Sequence, residues 1–184
     1  MSPSTLLTPA EIIAYWRALG PDRWFKRDDA VDADIRARFL PLYEAAAARK
    51  LIAWEDTIAG AFALLLALDQ FPRNMFRGEA KAFATDPLAR VVAGDAIARG
   101  LDLSFANPER RFFYLPFMHS ETLSDQERCA ELCRRADDPE GVRYAEHHAD
   151  IIRRFGRFPH RNAALGRATT MEERAFLDDG GFSG

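Results

Sequence analysis

The sequence predicts an all-α protein, and three observations predict it. Alanine, the best helix former, occurs 31 times, whereas valine, isoleucine and threonine together occur 19 times. Apolar residues recur at helical spacing, and no stretch alternates as a half-buried strand does. Helix start and stop signals are dense along the whole chain. With 184 residues, 48% of them hydrophobic, the chain suffices for one domain with a real core.

The elements follow in order. Thr8-Pro9-Ala10-Glu11 is a capping box with proline at the first helical position, and its helix ends at Gly20. A second helix, from about Asp29 to Lys50, carries Ile35, Phe39, Leu42 and Tyr43 on one face; Pro41 is expected to kink or split it. A third runs from about Thr57 to Gln70, and Pro72 is expected to stop it. Asp86-Pro87 opens a helix that closes at Gly100, and Asn107-Pro108 opens a short apolar one. Ser124-Asp125-Gln126-Glu127 reads as a second capping box, for a helix to about Arg135. Pro139 opens a helix through Phe155, which Gly156 and Pro159 stop. Thr170-Met171-Glu172-Glu173 is a third capping box, and the tail from about residue 179 to Gly184 is expected to be flexible. The sum is about eight helices in antiparallel hairpins. Phe71-Pro72-Arg73-Asn74 and Phe158-Pro159-His160-Arg161-Asn162 echo one another at helix corners, where asparagine can cap a following helix.

Composition removes several function classes. A net charge of −3 argues against nucleic acid and acidic membranes as general partners. Two cysteines make no disulfide framework, which suits a reducing compartment. The first residues show no signal-peptide pattern, and the longest apolar run, Ile58 to Leu68, is too short to span a bilayer, so a cytoplasmic location is expected. No P-loop, dinucleotide fingerprint, nucleophile elbow or zinc-protease motif occurs, and no cofactor or metal is expected.

Three strings carry a resemblance. They are Leu68-Asp69-Gln70-Phe71-Pro72-Arg73-Asn74-Met75-Phe76-Arg77-Gly78, then Phe113-Tyr114-Leu115-Pro116-Phe117-Met118-His119-Ser120-Glu121, then Phe155-Gly156-Arg157-Phe158-Pro159-His160-Arg161-Asn162 with Leu165-Gly166-Arg167. With Trp24-Phe25 and Trp54, they make the chain resemble the bacterial family called domain of unknown function 924. The resemblance implies an all-α fold like the tetratricopeptide-repeat superfamily, and it carries no established activity. A regular 34-residue repeat is not visible in the sequence.

The same strings hold the residues able to do chemistry. Asp69 lies on the apolar stripe of its helix, with Arg73 four residues on. A core carboxylate needs a partner, so this is either a structural clasp or a ligand-orienting group. His148 falls on the stripe Tyr144, Ile151, Ile152 and Phe155, and His147 faces away. His119 and Glu121 emerge where Pro116 breaks an apolar helix, a pairing suited to acid–base work or to a helix N-terminus. Cys129 and Cys133 share a helix face, but without C-x-x-C spacing they argue weakly for metal. Asp150 is expected to pair with Arg154, leaving Arg157, His160, Arg161 and Arg167 as an anion cradle, helped by a helix start near Asn162. The reading is a pocket for a small phosphate or carboxylate compound, lined by Arg73, His119, Glu121, His148, Arg157, His160 and Arg161, with Asp69 orienting the arginines. The polar corners are expected to meet. If the pocket is catalytic, His119, His148 and Glu121 are the candidates, with Arg161 stabilising charge. The competing reading is a helical-hairpin scaffold that binds a protein or peptide.

Overall fold

The computed structural model describes residues 7–182. The signal-peptide reading rests on residues 1–11, of which 1–6 lie outside the described residues, as do residues 183–184 of the expected tail. Among the described residues there are ten α-helical segments and no strand. Chain contacts divide the protein into two compact units, Met1–Arg77 with Ala82–Pro116 and Gly78–Lys81 with Phe117–Gly184. No helix among the described residues is long and apolar enough to cross a membrane.

The first unit begins with α1 (Pro9–Leu19), closed by the expected capping box at Thr8 and Glu11. A one-turn helix, α2 (Pro21–Trp24), follows Gly20 directly. α3 (Asp29–Ala47) starts on Asp28, whose carboxylate accepts the amides of Ala30 and Val31. It runs unbroken through Pro41. Pro41 and Ala37 are both exposed, so water can take the carbonyl that the missing N–H leaves unpaired.

The third helical stretch departs most from expectation. α4 (Ile58–Leu65) passes into a π-helical turn at Leu66–Gln70 and then into α5 (Phe71–Met75). Pro72 therefore does not stop the helix. Proline removes the amide that Leu68 would bond and crowds its carbonyl, and a widened turn relieves both. The amide of Phe71 reaches back to the Leu66 carbonyl. The Thr85 hydroxyl donates to the Leu68 carbonyl at 2.6 Å. Asn74, expected to cap, instead sits inside α5 and donates to Asp32 at 2.8 Å. α6 (Asp86–Ala98) then closes with Gly100 in the left-handed region. The short apolar stretch after Pro108 is a 3-10 turn, Glu109–Phe113, followed by α7 (Leu115–Met118).

Aromatic rings fill the core of this unit. Trp16 stacks on Trp24 at 5.8 Å and meets Phe71 and Phe112 edge-on. Phe39 stacks on Phe71 at 4.5 Å, which holds α3 against α5. Ile58, which opens the long apolar run, is 44% exposed.

The second unit is built on α8 (Leu123–Arg135) and α9 (Pro139–Phe155), joined by three residues and packed side by side. Asp138 caps α9 by accepting the Gly141 amide at 3.0 Å. A Cβ at Gly141 would lie 2.4 Å from the Asp138 carboxylate and 3.0 Å from the Cys133 sulfur, so glycine permits this close packing. The capping box expected at Ser124 does not form: α8 starts two residues earlier, on Thr122, without a side-chain cap. Ser120 instead donates to Asp125 at 2.6 Å. Buried Gln126 donates to the Met118 and Ser120 carbonyls, which ties the turn down. α10 (Met171–Asp178) has the capping box predicted at Thr170 and Glu173.

Candidate functional site

In the first unit, Asp69 is 1% exposed at the π-turn. It accepts from the Gln70 side chain, and its Oδ1 stands 3.6 Å from Arg73 Nη2. Arg73 donates to the Asp69 carbonyl at 2.6 Å and grips Asp86 with two bonds, at 3.0 and 3.1 Å. Coulombic attraction to both carboxylates outweighs burial, which alone would lower it, and raises the guanidinium pKa. This cluster joins the π-turn to the start of α6.

In the second unit, Gly156 adopts the left-handed conformation and ends α9 as predicted. The chain then turns through a 3-10 segment, Pro159–Arg161. No helix begins at Asn162; the next is α10. The expected helix N-terminus in the cradle is therefore absent.

The local arginines are engaged. Arg157 binds Glu173 through two bonds, at 2.6 and 2.9 Å. Glu173, 2% exposed, also accepts from Asn162 and from the Thr170 amide. Arg157 holds its carboxyl at about 2, against burial. Arg167 binds Glu121 through two 2.8 Å bonds, and the Phe158 amide donates to the same carboxylate at 2.9 Å. Burial pushes the Glu121 carboxyl up, but Arg167 and the amide outweigh it and hold it below its usual range. Arg153, not Arg154, pairs with Asp150; Arg154 reaches Glu172 across to α10. Arg154, the next residue, is turned about 100° round α9, to where Glu172 of α10 supplies a carboxylate.

Around this frame sits a different grouping. Arg161, 6% exposed, donates to the His119 carbonyl at 2.9 Å and lies over the Phe158 ring at 4.6 Å. His148, also 6% exposed, has Nδ1 2.8 Å from the Tyr144 carbonyl oxygen. A carbonyl only accepts, so Nδ1 carries the proton and Nε2 keeps its lone pair. Burial pushes the His148 pKa down to about 4, opposed by the Tyr144 bond, and the nearby His119 lowers it further. His148 is thus neutral at pH 7. Its ring and that of His160 both contact Phe158, at 5.7 and 5.5 Å. Tyr144, placed on the buried stripe by spacing, is 43% exposed because it lies near the start of α9.

Phe182 completes the group. Its ring meets His148 at 4.5 Å, His160 at 5.0 Å and His147 at 5.9 Å, each edge to face. It packs on the small core of Ile151, Ile152 and Phe158. Sequence reasoning missed Phe182, Phe158 and Glu173. The Gly180-Gly181 pair before an aromatic residue was the available signal.

Each unit carries a surface hollow. One, of about 630 Å³, is lined by Ile52, Ala53, Asp56, Asp95 and Arg99. The other, of about 450 Å³, is lined by Thr169, Met171, Arg174 and Asp178. Among the described residues, no group of three or more His, Cys, Asp or Glu is arranged to hold a metal.

The fold and the corner chemistry define an all-helical protein with several buried ion pairs. The chain belongs to the bacterial protein family of unknown function DUF924, whose family model matches residues 12–181. It is similar to a solved protein of unknown function from Agrobacterium tumefaciens: 47% identity, TM-score 0.89, covering 93% of this chain and 97% of that one. No curated protein matches.

Proposed function

We propose that this is a cytoplasmic binding protein for a small anionic compound, a phosphate or carboxylate, held in the second unit by Arg161, His119, His148 and His160. The observation that carries this reading is the gathering of Arg161 and the rings of His148 and His160 around Phe158. Arg157 and Arg167 are spent on Glu173 and Glu121, and they fix the corner. Arg161 donates to the His119 carbonyl and lies over the Phe158 ring. An arginine so placed offers planar donors to an anion. His148 presents Nε2 as an acceptor, which suits a hydroxyl or a protonated ligand oxygen. Glu121 and Arg157 are the frame of this site. Asp69 and Arg73 serve the first unit in the same positioning sense. If a reaction occurs, His119 is the acid–base candidate, because His148 is too weak a base and Glu121 is committed to Arg167.

The test is calorimetric titration of the untagged protein with inorganic phosphate, beside native mass spectrometry for a retained ligand. Arg161→Ala is expected to weaken phosphate binding at least about tenfold with the fold intact, and Arg161→Lys to keep part of it. An Arg161→Ala protein that unfolds, with no ligand found on the parent, would make the corner a structural clasp.

A second reading has its own observation. Ile52, Ile58, Val91 and Leu103 are 44–67% exposed in the first unit, and Ile52 lines its hollow. This apolar surface favours a tetratricopeptide-like scaffold whose groove takes a peptide. Co-purification of a stoichiometric partner lost on Ile52→Glu would support it.

A further inference from the structure

The hollow of the first unit is walled by two elements that the sequence clamps together. One is the 3-10 turn Ile52–Asp56, and the other is the end of α6. Gly60 lets the turn sit directly on α4, because a Cβ there would run into the Trp54 carbonyl oxygen. Thr57 closes the junction by accepting the Gly60 amide at 3.0 Å. From the end of α6, Arg99 donates to the carbonyls of Glu55 and Asp56, at 2.9 and 3.3 Å. Its guanidinium also stands 3.5 Å from the Asp56 carboxylate.

That commitment leaves one charge over. Asp95 and Arg99 are four residues apart, the spacing at which an acid and a base pair along a helix. Arg99 reaches across to the 3-10 turn instead. Glu55 meets Arg49 at 3.3 Å. Among the described residues, no cation pairs with the exposed Asp95. Ile52, Ala53 and Ala98 line the same hollow, and Ile52 is exposed. An apolar lining thus adjoins one unbalanced carboxylate.

We propose that this hollow docks a basic peptide, with a lysine or arginine side chain lying along Ile52, Ala53 and Ala98 and its charged head on Asp95. This rests on the scaffold reading and names the partner's chemistry. Lysine and arginine carry an aliphatic stem below a cation, so one side chain answers both features of the hollow. Charge decides against the other segments. An acidic one would bring its carboxylates to Asp95, and a purely apolar one would bury Asp95 without a partner. At about 630 Å³, the hollow has room for an aliphatic residue beside the basic one.

Three short synthetic peptides, labelled for fluorescence anisotropy, test the proposal. One alternates leucine with lysine, one serine with lysine, and one leucine with glutamate. The leucine–lysine peptide is expected to bind at least about tenfold more tightly than either of the others. Asp95→Asn is expected to weaken it about threefold to fivefold, and Ile52→Ser about tenfold. Asp178→Asn removes the same charge from the second unit and is expected to change it less than about twofold. All three positions are exposed, and circular dichroism checks that each variant keeps the parent's helix content. A leucine–glutamate peptide that binds as tightly, and is lost on Ile52→Ser, overturns the basic partner and leaves the scaffold reading standing. Two lysine peptides that bind alike, and respond equally to Asp95→Asn and Asp178→Asn, overturn the proposal in favour of general attraction to an acidic protein. Binding of none of the three peptides overturns both readings of this hollow.

Discussion

Arg73 shows how one side chain can serve a backbone and a carboxylate together. It satisfies the Asp69 carbonyl at the π-turn and neutralises Asp86 at the next helix. Asp86→Ala removes one carboxylate from this buried group. It is expected to cost about 2 kcal/mol, because Arg73 loses two charge-assisted hydrogen bonds while Asp69 still balances its charge. Urea unfolding of the variant checks the figure. Glu173 concentrates roles in the same way: capping box, Arg157 partner and Asn162 acceptor. Glu173→Gln keeps the shape and loses the charge, and a loss of about 2–3 kcal/mol is expected by the same measurement. The burial of Asp69 was legible in the sequence, since its position on an apolar stripe demanded it. Its neighbour Asp86 was not, because nothing local to Asp86-Pro87 marks a partner thirteen residues back.

At the scale of elements, capping chemistry was the most legible feature. The boxes at Thr8 and Thr170 form as written, because each needs only residues three apart. The box at Ser124 fails for a tertiary reason. Ser120 and Gln126 hold the preceding turn, so α8 begins at Leu123 and Ser124 falls inside its first turn. Thr170→Ala is expected to destabilise by about 1 kcal/mol, and Ser124→Ala by less than about 0.5 kcal/mol; paired thermal melts distinguish them. Pro72 shows the opposite limit. Its local rule predicts a helix end, and the hydroxyl of Thr85 overrides the rule from another segment.

For the molecule as a whole, pH is the revealing variable. His148 has a folded pKa near 4 against an ordinary 6.5, and Glu173 near 2 against 4.5. Both are lower in the folded state, so the unfolded chain binds protons more readily as pH falls. The His148 contribution is complete above about pH 6.5 and is lost toward pH 4; that of Glu173 is lost between about pH 4.5 and 2. The expected fall between pH 7 and 4 is about 3 kcal/mol from His148 alone, and His148→Asn abolishes that step in urea midpoints measured across the range. Long-range pairing is what the sequence hides at this scale. Arg167 and Glu121 are 46 positions apart, and Arg157 had several acidic candidates besides Glu173. Only the folded path of the chain chooses among 25 cations and 28 anions.

The π-turn at Leu66–Gln70 works as a phase shift. An α-helix advances about 100° per residue, so one residue added within a turn rotates everything downstream by roughly that angle. Side chains before Leu66 and after Gln70 therefore answer to two different clocks, and no single helical wheel describes residues 58–75. Removing Ala67 alone would reset the second clock to the first. It would swing Arg73 away from Asp86 and Asn74 away from Asp32, two contacts that no substitution at Ala67 touches.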